Sequence, residues 1–299
     1  MKIGLVLPTS TTDPHRVLGF ARRAEELGFD GLFAFDHFFP PGAPPDRPSL
    51  EAYTTLAAVA SITSRVAIGT LVTRASLRSA GIIAKQAVAL HDSSGGRFVL
   101  GIGTGDALSR AEHAAFGLPY LAPGVRRRHL VETVRAVRAL VQGEPWDGGD
   151  HVPAMSGPLR PRPSDGPRVW IGGASEGTAV AAAQEADGWN GWGLPLGTFV
   201  RRVALIREEA KRGGRLVEAT WGGALVLGED LGEAGRLLQG RAERGIATDV
   251  WAGDIESAAA WLEGLRAAGA TWAILLPAGA PDRMELIGER LLPLVRAGT

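Results

Sequence analysis

The chain of 299 residues contains no cysteine. That absence excludes disulfides, thiolate metal sites and a cysteine nucleophile, and it makes a reducing cytoplasm the expected compartment. An excess of either charge is also missing: 32 Lys plus Arg balance 32 Asp plus Glu. Nucleic-acid binders carry a basic excess or stripe, so no nucleic-acid partner is expected. No apolar run approaches the ~20 residues that cross a bilayer, so no membrane partner is expected. The opening run MKIGLVLPTSTTD has the size of a signal-peptide core, but no small-residue cleavage site follows, and it reads as a first strand. The six histidines are scattered without an H-x-H or HExxH pair, so no metal is expected.

Glycine, by contrast, is plentiful at 41 residues, with 19 prolines. Both punctuate apolar segments rather than clustering, which implies many ordered turns. Apolar residues make up 45%, enough for a sizeable core. One unit recurs: a short apolar run, a turn, then an amphipathic helix. Strands are expected at 2–8, 31–35, 66–72, 97–102, 169–172, 188–192, 220–227 and 272–276. Helices are expected at 14–28, 50–62, 80–90, 126–141, 176–186, 196–212, 256–268 and 283–295. Segments 105–125 and 143–167 read as long loops, and 228–249 has no clear structure. Eight strand–helix units without a dividing linker predict an α/β fold, a (β/α)8 TIM barrel with insertion loops, as one domain over 1–299. The alternative is a doubly wound Rossmann domain plus a second domain.

The stretch LGIGTGDAL at 100–108 raises the question of a dinucleotide site. A Rossmann fingerprint follows the first strand and is spaced G-x-G-x-x-G. This run follows the fourth strand, and Gly101, Gly103 and Gly105 are spaced G-x-G-x-G. A barrel instead carries its chemistry at the C-terminal ends of its strands. Asp36-His37, the segment 69–73, Thr104-Gly105-Asp106 and the turn 172–175 all fall at such ends. Glycines there would let a flat ligand approach the backbone. Free amides of the turn at Gly173, Ala174 and Ser175 could hold a phosphate. Each feature also has a plain reading: Asp36 as a strand-end cap, Asp106 as a solvated loop acid, Gly172-Gly173 as a simple turn. Trp189 and Trp192 read as filling of the barrel interior.

Five segments taken together resemble the luciferase-like flavin and deazaflavin oxidoreductases: AFDHFF, GTLVT, SSGGRFVLGIGTGDAL, VWIGGAS and EADGWNGW. The resemblance covers most of the chain and is weakest at 143–167 and 228–249. It implies a (β/α)8 barrel, usually a homodimer, that binds coenzyme F420 or FMN. DHF after strand two and GTG before an acid are similar to the F420-dependent branch. In that branch the matches of His37 and Asp106 are the catalytic histidine and acid. The resemblance further implies a non-proline cis peptide at Leu71-Val72 behind the deazaflavin. It assigns cofactor contacts to Asp36, Thr70, Leu71, Val72, Thr104, Gly105, Gly173, Ala174, Ser175 and Glu176. Hydride transfer between F420 and a small organic substrate is the function implied, with His37 moving the proton, Asp36 orienting its ring and Asp106 sharing the proton. An FMN-dependent monooxygenase and a non-catalytic flavin-binding barrel are the alternatives. The chain departs from the branch's sugar-phosphate dehydrogenases in several places. Ser10 stands where they carry glutamate, Phe39-Pro40-Pro41 where they carry tryptophan, Asp106 where they carry glutamate, and no lysine cluster offers to hold a substrate phosphate. A sugar-phosphate substrate is therefore not expected.

Overall fold

The computed structural model describes residues 1–40, 43–163 and 165–297; Pro41, part of the departure just noted, lies outside them. The described strands are β1 (Lys2–Val6), β2 (Gly31–Ala34), β3 (Ala67–Thr70), β4 (Thr73–Arg74), β5 (Phe98–Gly103), β6 (Arg168–Gly172), β7 (Gly188–Trp192), β8 (Glu218–Leu227), β9 (Trp251–Gly253) and β10 (Ala270–Ala278). The helices between and after them are α1 (Pro14–Leu27), α2 (Ala52–Ile62), α3 (Ala80–Ser93), α4 (Ser109–Ala115), α5 (Pro123–Val141), α6 (Glu176–Glu185), α7 (Leu196–Arg212), α8 (Leu231–Glu243), α9 (Ile255–Ala267), α10 (Arg283–Leu286) and α11 (Leu292–Ala297). A π-helical turn, Ile287–Leu291, joins the last two. Among the described residues no helix is long and apolar enough to cross a membrane.

All sheet pairings are parallel and run β1-β2-β3-β5-β6-β7-β8-β10 and back to β1. Eight strands therefore close a ring, with β4 and β9 as short additions beside β5 and β8. This is the expected (β/α)8 TIM barrel. Its helices start where the sequence supplies caps: Asp13 accepts a hydrogen bond from the His15 amide at 2.9 Å, and Pro14 follows at the first helical position.

Two apolar clusters hold the molecule. The larger lies between strands and helices. The smaller fills the ring with Val6, Phe33, Val99, Trp170, Trp272 and Ile274. Phe33 stacks on Trp170 at 5.8 Å and meets Trp272 edge-on at 5.6 Å. Alternation along β7 sends Trp192 to this interior, but Trp189 to the helical side, where it stacks on Phe199 at 5.7 Å. The expectation that both tryptophans fill the ring thus holds for Trp192 alone, because residues three apart in a strand face opposite ways.

Three local expectations change. The strand expected at 66–72 is interrupted at Leu71-Val72, whose peptide bond is cis, and pairing resumes at Thr73. The segment 228–249 contains α8, started by Asp230, whose Oδ1 accepts from the Glu233 amide at 2.7 Å. The segment 105–125 contains α4 and the first residues of α5.

Candidate active site at the C-terminal rim

His37 lies just past the end of β2. Its Nδ1 is 2.5 Å from Oε1 of Glu112, which α4 brings across the rim. The second oxygen of Glu112 accepts the Phe38 amide at 2.7 Å and Nη2 of Arg74 at 2.8 Å. Glu112 is wholly buried, and His37 remains 17% exposed. Burial opposes the charge on Glu112, but the hydrogen bond and charge of His37, the Phe38 amide and Arg74 outweigh it and hold the carboxyl below its ordinary value.

Asp36 belongs to a second set of contacts. Arg78 grips its carboxylate with two bonds of 2.6 and 3.0 Å, and the Arg74 amide donates to the same carboxylate at 3.2 Å. Arg78 also reaches Glu51 at 2.8 Å. Burial opposes the Arg78 charge, yet the hydrogen bond and charge of Asp36 raise its pKa above the ordinary value. Nε of Arg74 donates to the Asp36 carbonyl at 3.0 Å, so this one side chain ties β2 to α4. Asp36 was expected to orient the His37 ring; the carboxylate on that ring is Glu112, because Arg78 and the Arg74 amide occupy Asp36.

Asp106 is exposed. Its Oδ1 accepts from both the amide and the hydroxyl of Ser109 at 3.1 Å, closing the turn that leads into α4. It makes no bond to His37. Thr104 folds its hydroxyl onto the Gly105 carbonyl at 2.9 Å, and Gly105 takes the left-handed φ of 68°. Thr70 is fully buried and clips β3 to β5, donating to the Gly101 carbonyl at 2.9 Å and accepting its amide at 3.1 Å.

The glycine run acquires a definite cause at Leu71-Val72. A Cβ on Gly103 would lie 2.5 Å from the Val72 side chain, one on Gly101 2.8 Å and one on Gly172 2.7 Å. These glycines make room for the turned backbone at 70–72 and its Val72 side chain; at Gly101 the Thr70 carbonyl oxygen stands closer still than Val72. Beside Val72, Phe35 meets Trp192 edge-on at 5.1 Å and His37 at 6.2 Å. The upper ring is thus lined by an aromatic row that ends at an imidazole.

The turn after β6 is open in a different way. Gly173 has φ of 148°, and its amide, expected to be free, donates to the Asn190 carbonyl at 3.0 Å because β6 and β7 still pair there. Ser175 caps α6 by accepting the Thr178 amide at 3.2 Å, and Glu176 begins the helix. Two arginines reach this helix start. Arg202 donates to the Ala174 carbonyl at 3.3 Å and pairs with Glu176 at 2.8 Å. Nη1 of Arg127 would lie 2.6 Å from a Cβ on Gly177, so a side chain there would displace the guanidinium. Helix amides and two guanidinium groups suit a phosphate. The structure thus brings His37, Leu71, Val72 and the 173–176 turn to one rim, and ties up the side chains of Asp36 and Thr70 within the scaffold.

Fold and rim together define a (β/α)8 barrel with its polar machinery at the C-terminal face. The sequence profile of the luciferase-like monooxygenase family matches residues 1–289, and the chain belongs to that family. An F420-dependent glucose-6-phosphate dehydrogenase from Amycolatopsis mediterranei is 29% identical over 227 residues, which cover 73% of this chain and 66% of that enzyme. One from Kineococcus radiotolerans is 30% identical, over 72% of this chain and 64% of that enzyme. The chain spans just under two thirds of the length of these curated relatives. In three dimensions, an F420-dependent secondary alcohol dehydrogenase, solved with an F420–acetone adduct, superposes over 99% of both chains with a TM-score of 0.86 at 20% identity. At that identity the likeness establishes the fold alone.

Proposed function

We propose that this protein is an F420-dependent oxidoreductase that moves a hydride between the deazaflavin and a small organic substrate. The observation that carries the reading is His37, partly open and held by a buried carboxylate at the end of the aromatic row. The donor set suits the cofactor: apolar Leu71 and Val72 for its ring, and the amides of 174–176 with Arg127 and Arg202 for its phosphate, the Gly173 amide being held by the Asn190 carbonyl at 3.0 Å. The F420-dependent relatives support the same choice.

When bound, the deazaflavin supplies the two-electron hydride chemistry. The chain's own residues do the rest. The 173–176 turn and its arginines anchor the phosphate, and the rim aromatics exclude water from the reacting carbon. His37 holds or takes the substrate proton at Nε2, as an imidazole general acid or base can. Replacing it should lower kcat by about 10²–10⁴-fold. His37→Ala is expected to show that loss while cofactor affinity stays within a few-fold; turnover at the wild-type rate would remove His37 from the reaction.

An FMN-dependent monooxygenase is the second reading, favoured by the family's own description. The resemblance also carries a homodimer, which sedimentation tests directly.

A further inference from the structure

We infer that Glu112 is a positioning residue that fixes the tautomer of His37, with the proton on Nδ1 and the lone pair on Nε2. The inference deepens the proposed role of His37 and rests on it only for its kinetic consequence; the tautomer itself is a property of the cofactor-free protein.

Three donors could address the Glu112 carboxylate. Two of them, the Phe38 amide and Nη2 of Arg74, can only donate, and both converge on Oε2. They favour the ionised carboxylate, in line with its depressed pKa. An ionised carboxylate can only accept, so the neutral imidazole 2.5 Å from Oε1 must present its N–H there. Nε2 is then left without a proton and, among the described residues, without a partner. Arg74 cannot turn away from Glu112 freely, because its Nε holds the Asp36 carbonyl and Phe38 lies under its guanidinium at 5.5 Å. The unpaired acceptor at Nε2 is therefore set by four residues on three segments, none of which needs a ligand to be in place.

The same geometry makes an inverted outcome for Glu112→Gln. The two donors at the Oε2 position demand the amide oxygen of glutamine. Its NH2 is then turned towards His37 Nδ1, which must become the acceptor, and the proton moves to Nε2. The ring stays in place and its polarity reverses.

The test is imidazole 15N NMR on the cofactor-free protein, raising pH until the ring is neutral, for wild type and E112Q, with thermal melts for both. The expected wild-type signals are a protonated Nδ1 and an unprotonated Nε2, with the assignment exchanged in E112Q. A wild-type ring protonated on Nε2, or one averaging both tautomers equally, would overturn the inference. If E112Q does not fold, Arg74→Lys serves: a lysine and the Phe38 amide keep the carboxylate ionised, so the Nδ1–H preference should persist, and its decay to an equal mixture would overturn the inference. In turnover, E112Q should lower kcat by more than 10²-fold with KM and F420 affinity little changed. Exchanged NMR signals with undiminished kcat would uphold the tautomer assignment and reject His37 as the proton carrier, so the two claims fail separately.

Discussion

Glu112 decides how the rim behaves as a charged object. Its folded pKa lies below the ordinary 4.5, so folding favours the ionised form. The stability this contributes is fully present above pH 4.5 and is lost as pH falls through the lower folded value. Removing one partner of a buried charge pair typically costs about 3–5 kcal/mol, because the other charge is stranded. Glu112→Ala should therefore destabilise the protein by that order at pH 7, and the gap to wild type should narrow as unfolding is followed down to pH 3. A gap that does not change with pH would mean that the ionised form is not what the fold holds. This residue was not legible in the sequence. Asp106, directly after the glycines, was the acid that the motif offered, and it turns out to spend its carboxylate on Ser109. His37 was legible as a candidate, because it stands at a strand end inside DHF, a motif similar to that of the F420-dependent branch.

At the level of elements, α4 shows why sequence reading failed there. Its buried face consists of Ser109, Glu112 and His113, spaced i, i+3 and i+4. Helical periodicity is found by following apolar residues, and this face is polar, so the pattern is invisible to hydropathy. α8 escaped for another reason: Ala234, Leu237 and Leu238 are spaced for a helix, but Gly232, Gly235 and Gly240 within it lower its helix propensity. Barrel strands are the opposite case: continuous apolar runs bounded by glycine fixed their number and order correctly. The interior glycines supply a prediction at this scale. Overpacking a tight interior costs about 1–3 kcal/mol. Gly103→Ala should cost at least that, since its Cβ would lie 2.5 Å from Val72. The double variant Gly103→Ala with Val72→Ala should recover much of the loss, as chemical denaturation of all four forms would show. Additive losses would mean that Val72 is not the reason for the glycine.

For the whole molecule, closure of the ring places His37, Glu112 and the 173–176 turn at one end. The buried rim arginines are already committed. Arg74 and Arg78 hold Glu112, Asp36 and Glu51, while Arg283 holds Asp282, Glu233 and the Leu227 carbonyl. Among the buried donors of these three, Nη1 of Arg74 alone lacks a partner, so a phosphate gripped by them would compete with a carboxylate. Glucose 6-phosphate, the substrate named for the curated relatives, should accordingly give no turnover with F420 here, in contrast to small uncharged alcohols or carbonyls; robust oxidation of the sugar phosphate would refute that reasoning. The central claim is the deazaflavin seat itself, and its most direct measurement is a fluorescence titration of the purified protein with F420 and, in parallel, with FMN. Saturable binding of F420, much tighter than FMN and weakened when Gly173 is replaced by valine, is the predicted result. Tight FMN binding with no response to F420 would contradict the account.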